Sequence, residues 1–175
     1  MKEVGAYLGE FLNSPHPHRS GKVCPFMQKV LDENQLLHLE VSGKDKSVVK
    51  TVKDFFDDFL TASNKTVLVV TFSHDYSLSF AKKVARKLRL RTSFEGYMIG
   101  AFGPDEMTPS LHDQNFFPFR PDCVMLVIRT MVPHDSQFFN QAGFIAGTAM
   151  KVGYSKKYPN ESNGSYLSRF IKWLT

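Results

Sequence analysis

The chain has little cysteine and no long apolar run. Its two cysteines, Cys24 and Cys123, are too few for a disulfide framework in 175 residues. No apolar stretch approaches the roughly twenty residues that a membrane-spanning helix needs, so we expect no membrane partner. No leader with a charged, an apolar and a small-residue region precedes the first helix pattern. These absences together predict a protein of the reducing cytoplasm.

Negative charge is also scarce relative to positive charge, with 17 Asp and Glu against 22 Lys and Arg. Much of the excess lies in one predicted helix, with the cations Lys82, Lys83, Arg86, Lys87, Arg89 and Arg91. Such a run is typical of a solvated helix face, and it also fits a patch that attracts an anionic partner. Because no zinc-finger spacing, aromatic RNA-binding signature or helix-turn-helix pattern accompanies it, we expect no nucleic-acid partner. The expected partner is a small-molecule substrate, and a homodimer stays open.

Apolar residues, in contrast, are plentiful. They make up 42% of the chain, with 16 phenylalanines, which excludes a disordered chain and fills one sizeable core. A single domain over residues 1–175 is therefore predicted. Alternating and β-branched runs predict strands over 35–41, 66–72, 97–102 and 123–131. Apolar spacings of three and four predict helices over 4–12, 48–60, 78–88, 138–149 and 166–174. This order predicts an α/β (α+β) sandwich, in which helices cover a mixed sheet of about four or five strands.

Two loops stand out between these elements. Residues 103–121 predict a loop of roughly twenty residues, longer than compact domains usually contain without a functional reason. Its Phe117 and Phe119 either line an apolar pocket or cover the core beneath the loop. The polar residues 154–164 predict a second, exposed loop.

The segment 16–26 concentrates side chains that carry chemistry. Cys24 acts as a nucleophile or metal ligand only as a thiolate, and the nearby cations of Arg19 and Lys22 favour that form. The alternative is a buried cysteine that packs as a small apolar residue. His16 and His18 have a spacing that can offer two imidazoles to a metal, although exposed loops also carry histidines without such a role. In one interpretation Cys24 is a catalytic nucleophile, and His18 or a spatially close histidine is its base.

Arg129 is the second candidate site residue. It lies inside an apolar strand, where a charge either faces solvent or finds an anionic partner. The functional interpretation is a guanidinium that clamps a carboxylate through paired hydrogen bonds. Met131 and His134 follow directly, and a thioether and an imidazole are both ligands of haem iron. His134 and His18 are therefore the candidate metal ligands, with a surface histidine as the alternative at His134.

Three His-Asp pairs, at 74–75, 112–113 and 134–135, lie at or near predicted strand ends, where loop residues often carry function. Adjacent side chains on an extended backbone point to opposite faces. Adjacency alone therefore does not predict a catalytic dyad at any of the three pairs.

Two blocks of the chain resemble those of a family of small uncharacterised bacterial proteins. The block Arg-x-Gly-x-Val-Cys-Pro-Phe spans residues 19–26, and the block Arg-x-Met-Val-Pro spans residues 129–133. More distantly, the layout is similar to the YqcI/YcgG family, in which a Phe-Pro-Cys block precedes a helix, a strand, a long loop and a late strand. That family is associated with haem-dependent oxidation, including N-hydroxylation of an amine or guanidine group.

The distant resemblance implies a haem-binding oxidative enzyme, of oxygenase or N-hydroxylase type, that acts on a small, amino-acid-like molecule. Under this hypothesis Arg129 is catalytic and anchors a carboxylate, and the residues that contact haem are Arg19, His18, Met131, His134, Phe117 and Phe119. Two alternatives remain open. One is a cofactor-free enzyme with Cys24 as nucleophile, and the other is a non-enzymatic module that binds a small ligand or a protein through its arginines.

Overall fold

The computed structural model describes residues 2–159, apart from 43–44, 63, 74 and 111–112. The helix predicted over 166–174 lies outside the described residues, as do residues 160–164 of the predicted exposed loop.

The described elements alternate between helices and strands. In chain order they are α1 (Lys2–Gly5), which continues as a π-helix (Ala6–Phe11), α2 (Met27–Asp32), β1 (Leu36–Val41), α3 (Asp45–Thr61), β2 (Val67–Phe72), α4 (Leu78–Phe94), β3 (Tyr97–Phe102), β4 (Met125–Thr130), a 3-10 helix (Pro133–Phe138) and α5 (Phe144–Lys157).

The strands form a four-stranded mixed sheet in the order β1-β2-β4-β3. β1 runs parallel to β2, and Leu36 pairs with Val67 at the start of their register. At the far end of β2, the amide of Phe72 donates to the carbonyl of Val124, just before β4, so β4 runs in the opposite direction. The predicted α+β fold with a mixed sheet of about four or five strands is confirmed.

The chain divides into two compact units. The first contains the described residues of Met1–Lys82 and Ala101–Val127, and the second contains those of Lys83–Gly100 and Ile128–Thr175. The single domain over residues 1–175 stays a prediction.

The core of the first unit follows directly from the sequence pattern. All six residues of β2 are buried, as expected for a β-branched run covered on both faces. The apolar face of α3 is closed to solvent, since Val48, Val52, Phe56 and Phe59 are each at most 1% exposed. A second cluster gathers α1, the π-helix and α2, where Tyr7, Leu8, Met27 and Val30 are buried.

The second unit contains a smaller apolar cluster, formed by Met131, Phe139, Met150 and Tyr154. It corrects two predictions from the sequence. The helix predicted over 138–149 is two elements, because the 3-10 helix ends at Phe138 and α5 begins only after Gly143, which has φ 77°. The exposed loop predicted from residue 154 begins later, because α5 extends to Lys157 and the apolar face of the helix includes the buried Tyr154.

Within the described residues, no helix has both the length and the apolar character that crossing a bilayer requires.

Candidate functional site

The loop after the π-helix closes on itself through backbone hydrogen bonds. At its base the amide of Cys24 donates to the carbonyl of Leu12 at 2.8 Å, and farther along the amide of His16 donates to the carbonyl of Gly21 at 2.8 Å. This pairing places His18 at the tip of the loop and Cys24 at its base. The predicted nucleophile and its predicted base therefore lie at opposite ends of the same loop.

His18 is held by a carboxylate from a distant part of the chain. Its Nδ1 is in hydrogen-bond contact with Oδ2 of Asp113, and its side chain is 53% exposed. Since the carboxylate accepts the proton on Nδ1, the neutral ring carries its lone pair on Nε2. The backbone amide of His18 also donates to Nδ1 of His16 at 3.1 Å, which fixes the main chain beside the ring. The loop tip is therefore braced by two separate contacts.

Asp113 comes from the predicted long loop, and local contacts hold it in place. The amide of Asn115 donates to its Oδ1 at 2.9 Å, and this bond is the largest cause that lowers the pKa of Asp113. The nearby His18 lowers the pKa further, against the opposing effect of desolvation. The ring of Phe116 packs edge-on against the buried ring of His16, with centroids 4.5 Å apart. Asp113 is therefore ionised at neutral pH and is held next to His18. Its sequence neighbour His112 lies outside the described residues.

Both cysteines lie beside a buried phenol. Cys24 and Cys123 pack against the cluster that contains Tyr7, whose hydroxyl donates to the carbonyl of Pro118 at 2.7 Å. Burial raises the pKa of Tyr7 above its ordinary value, and the two thiol groups raise it further. Both thiols are partly buried, and the role of Cys24 as a nucleophile stays a prediction.

Replacing Tyr7 by phenylalanine should lower the free energy of unfolding by about 1 kcal/mol, because the carbonyl of Pro118 loses its buried donor. It should also reduce the loss of stability at alkaline pH. The raised pKa means that the unfolded chain ionises at this position first as the pH rises above about 10, so Tyr7 disfavours the folded state there and phenylalanine removes that contribution. Urea denaturation at about pH 8 and pH 10.5 measures both effects, and equal alkaline losses in the two proteins would contradict the assignment.

Arg19 is exposed and binds its own loop. Its Nη2 lies 3.3 Å from the carbonyl oxygen of Lys22 and 3.4 Å from that of Val23. The guanidinium thereby stabilises the turn that presents His18, and its charge stays at the protein surface.

Phe117 and Phe119 are both partly buried in the first unit. The ring of Phe119 stacks on Phe102 of β3, with centroids 5.1 Å apart and planes 14° from parallel. This contact supports the interpretation in which Phe119 covers the core beneath the loop.

Arg129 has its carboxylate partner within the second unit. Its Nη1 and Nη2 each donate to one oxygen of Asp135, both at 2.7 Å, and the Asp135 side chain is 2% exposed. The same carboxylate accepts the amide of Val132 at 2.8 Å, and Nη1 also donates to the carbonyl of Thr130. Asp135 thus joins the end of β4 to the 3-10 helix. The Arg129 guanidinium, which was predicted to bind the carboxylate of a ligand, is paired with a carboxylate of the chain itself.

Met131 and His134 are three residues apart, but their environments differ. Met131 is 0% exposed, inside the apolar cluster of the second unit, whereas His134 is exposed on the 3-10 helix. The thioether therefore faces the core while the imidazole faces solvent. In the part of the chain that the structure describes, no three His, Cys, Asp or Glu side chains are grouped to hold a metal ion.

Sequence reasoning placed Asp113 and Asp135 in His-Asp pairs but missed the side chains that they bind, His18 and Arg129. Asp113 and His18 are separated by 95 positions, and no local pattern connects them. Asp135 had a recognisable signal, because it stands at the third position of a helical turn that begins with Pro133, where an acidic side chain caps backbone amides.

A family model described as a domain of unknown function (DUF6875) matches residues 1–165 of the chain. No curated protein matches the chain, and no solved structure does.

Proposed function

We propose that this chain, which belongs to the DUF6875 family, is a hydrolytic enzyme in which His18 is the general base. The match to this family confirms the expectation that the chain belongs to an uncharacterised family. That the blocks at 19–26 and 129–133 mark the family, and that it is related to the YqcI/YcgG family, stay predictions. The single observation that supports the proposal is the contact between His18 Nδ1 and Asp113 Oδ2.

The contact supports acid–base chemistry because it orients the ring through Nδ1 and leaves the lone pair of the neutral ring on Nε2. Asp113 holds the ring through Nδ1, so Nε2 is the nitrogen that accepts a proton in the proposed reaction. Nε2 belongs to a ring that is about half exposed, with a side-chain exposure of 53%, at the tip of a braced loop. A base in this arrangement needs only a substrate placed within hydrogen-bond reach of Nε2.

The nucleophile in this proposal is water, because the loop pairing separates Cys24 from His18. Nε2 removes a proton from water while the water oxygen bonds to an acyl carbon. The bond between that carbon and the leaving oxygen then breaks, and Nε2 returns the proton to the leaving group. Arg19, next in sequence and fixed on loop carbonyls, supplies a positive charge for an anionic substrate group.

Hydrolysis of p-nitrophenyl acetate tests the proposal. We expect His18→Gln to lower the rate above the buffer blank by roughly tenfold or more, since proton transfer by a positioned side chain contributes at least that much. Asp113→Asn should lower it by a smaller factor, because the ring stays in place but loses its carboxylate.

The matched control is His134→Gln, which removes a histidine that is exposed on the 3-10 helix. It should hydrolyse the ester at the wild-type rate. Equal losses in His18→Gln and His134→Gln would show that any surface imidazole suffices, and a wild-type rate no greater than the blank would contradict hydrolysis.

The haem-dependent oxidation and the Cys24 mechanism stay predictions. A Soret band in protein expressed with haem precursor, shifted by dithionite and weakened by His134→Ala, would favour the haem hypothesis instead. Covalent labelling at Cys24 but not at Cys123 by a mild thiol reagent would favour the nucleophilic cysteine.

A further inference from the structure

The second unit contains a cleft that none of the candidate site residues lines. Its volume is about 210 Å³, and it lies between α4, β3 and the segment that joins the 3-10 helix to α5. Pockets for drug-sized ligands span roughly 300–1,000 Å³. A ligand that fits this cleft would therefore be smaller than a drug-sized molecule.

The wall of the cleft is mainly apolar. Met98, Phe138, Ala142 and Met150 line it, and the same four side chains belong to the apolar cluster around Met131. Methionine side chains adjust to irregular shapes because they are unbranched and flexible. The cleft therefore offers an adaptable surface to an aliphatic or aromatic body.

One edge of the cleft is cationic. Arg89 lines it together with Ser93, which is four residues later in α4 and therefore on the same helix face. The surrounding unit is basic, because Lys83–Gly100 and residues 128–159 carry nine Lys and Arg but only two acidic residues. Of those two, Asp135 is bound by Arg129, and Glu95 lies 3.9 Å from Lys156. The field at this edge favours an anion.

We propose that the cleft binds a small amphipathic carboxylate, with its apolar body against Met98 and Met150 and its carboxylate on Arg89. The site is independent of the proposed hydrolytic base, because His18 and Asp113 belong to the other unit. The proposal gives Arg89, the cation of α4 that lines the cleft, a role in ligand binding.

Titration with octanoate tests the site, with the methionine methyl groups labelled with ¹³C. We expect the Met98 and Met150 methyl signals to shift in a saturable manner, and octanamide, which has the same body without the charge, to bind roughly tenfold more weakly. Octanamide that binds as tightly as octanoate would overturn the role of Arg89.

Arg89→Gln should weaken octanoate binding by roughly tenfold. Lys87→Gln removes one cation from the same helix, outside the cleft, and should leave the affinity within a factor of about two. Equal weakening in both variants would overturn the contact with Arg89, because it would mean that only the summed positive charge of the helix attracts the anion. Octanoate shifts that are absent at Met98 and Met150 in the wild type would refute the site itself.

Discussion

Replacing Asp135 by asparagine is expected to lower the free energy of unfolding by about 3 kcal/mol. The variant keeps the size of the side chain but leaves the Arg129 guanidinium without its carboxylate. It also weakens the acceptor for the amide of Val132, which is bound at 2.8 Å. Because the Arg129 side chain is 38% exposed, the cost falls at the lower end of the range for a buried ion pair. Urea denaturation followed by circular dichroism measures it.

A matched control is the same change at an exposed ion pair. Asp57 lies 3.2 Å from Lys53 on α3, and Asp57→Asn should cost under about 0.5 kcal/mol. The double variant Arg129→Met with Asp135→Leu should cost less than Asp135→Asn, because it leaves no unpaired charge. A double variant that is much less stable than Asp135→Asn would show that the pair stabilises the fold by more than charge compensation.

The elements that the sequence predicts well are those whose apolar pattern extends along the whole element. β2 is a β-branched run buried along its whole length, and α3 presents one apolar face with a period of three and four. In both elements, the residues that the pattern predicts to be buried are the residues that are buried in the structure. Local residue spacing therefore determines these elements without knowledge of their neighbours.

The elements that the sequence predicts poorly depend on a single backbone position or on a short segment. The break before α5 depends on the positive φ of Gly143, which hydrophobic spacing does not reveal. α2 is only six residues long, too short for a helical period to stand out, although Met27 and Val30 are buried. Its position within the N-terminal cluster follows from tertiary packing.

The loop that contains the candidate site was predictable from the sequence, but the contact between His18 and Asp113 was not. The sequence identified the segment with His18 and Cys24 as chemically unusual, and it identified the long loop that contains Asp113. That those two loops meet at His18 and Asp113 is a tertiary contact, and one sequence carries no signal for it. For Arg129 the expected carboxylate partner exists, but it is supplied six residues later by Asp135.

Gly153→Ala is expected to lower the free energy of unfolding by at least about 3 kcal/mol, although alanine is the better helix former. A Cβ at position 153 would overlap the carbonyl oxygen of Ser93 and lie 2.7 Å from the amide nitrogen of Gly96. Both obstacles are backbone atoms, at the turn between α4 and β3, so no side-chain rotation relieves them. For a chain of this length, the loss corresponds to a fall in Tm of roughly 6–12 °C.

The opposite sign is expected at Gly5, which makes it the control for Gly153. Gly5 has helical dihedrals, φ −60° and ψ −45°, and nothing lies within 4 Å of a Cβ built there. Gly5→Ala should therefore raise the free energy of unfolding by up to about 1 kcal/mol, since alanine restricts the unfolded chain and fits the helix. Thermal unfolding of the two variants compares them directly. If Gly153→Ala unfolds at or above the wild-type Tm, then α5 does not approach the α4–β3 turn as closely as the backbone contacts require.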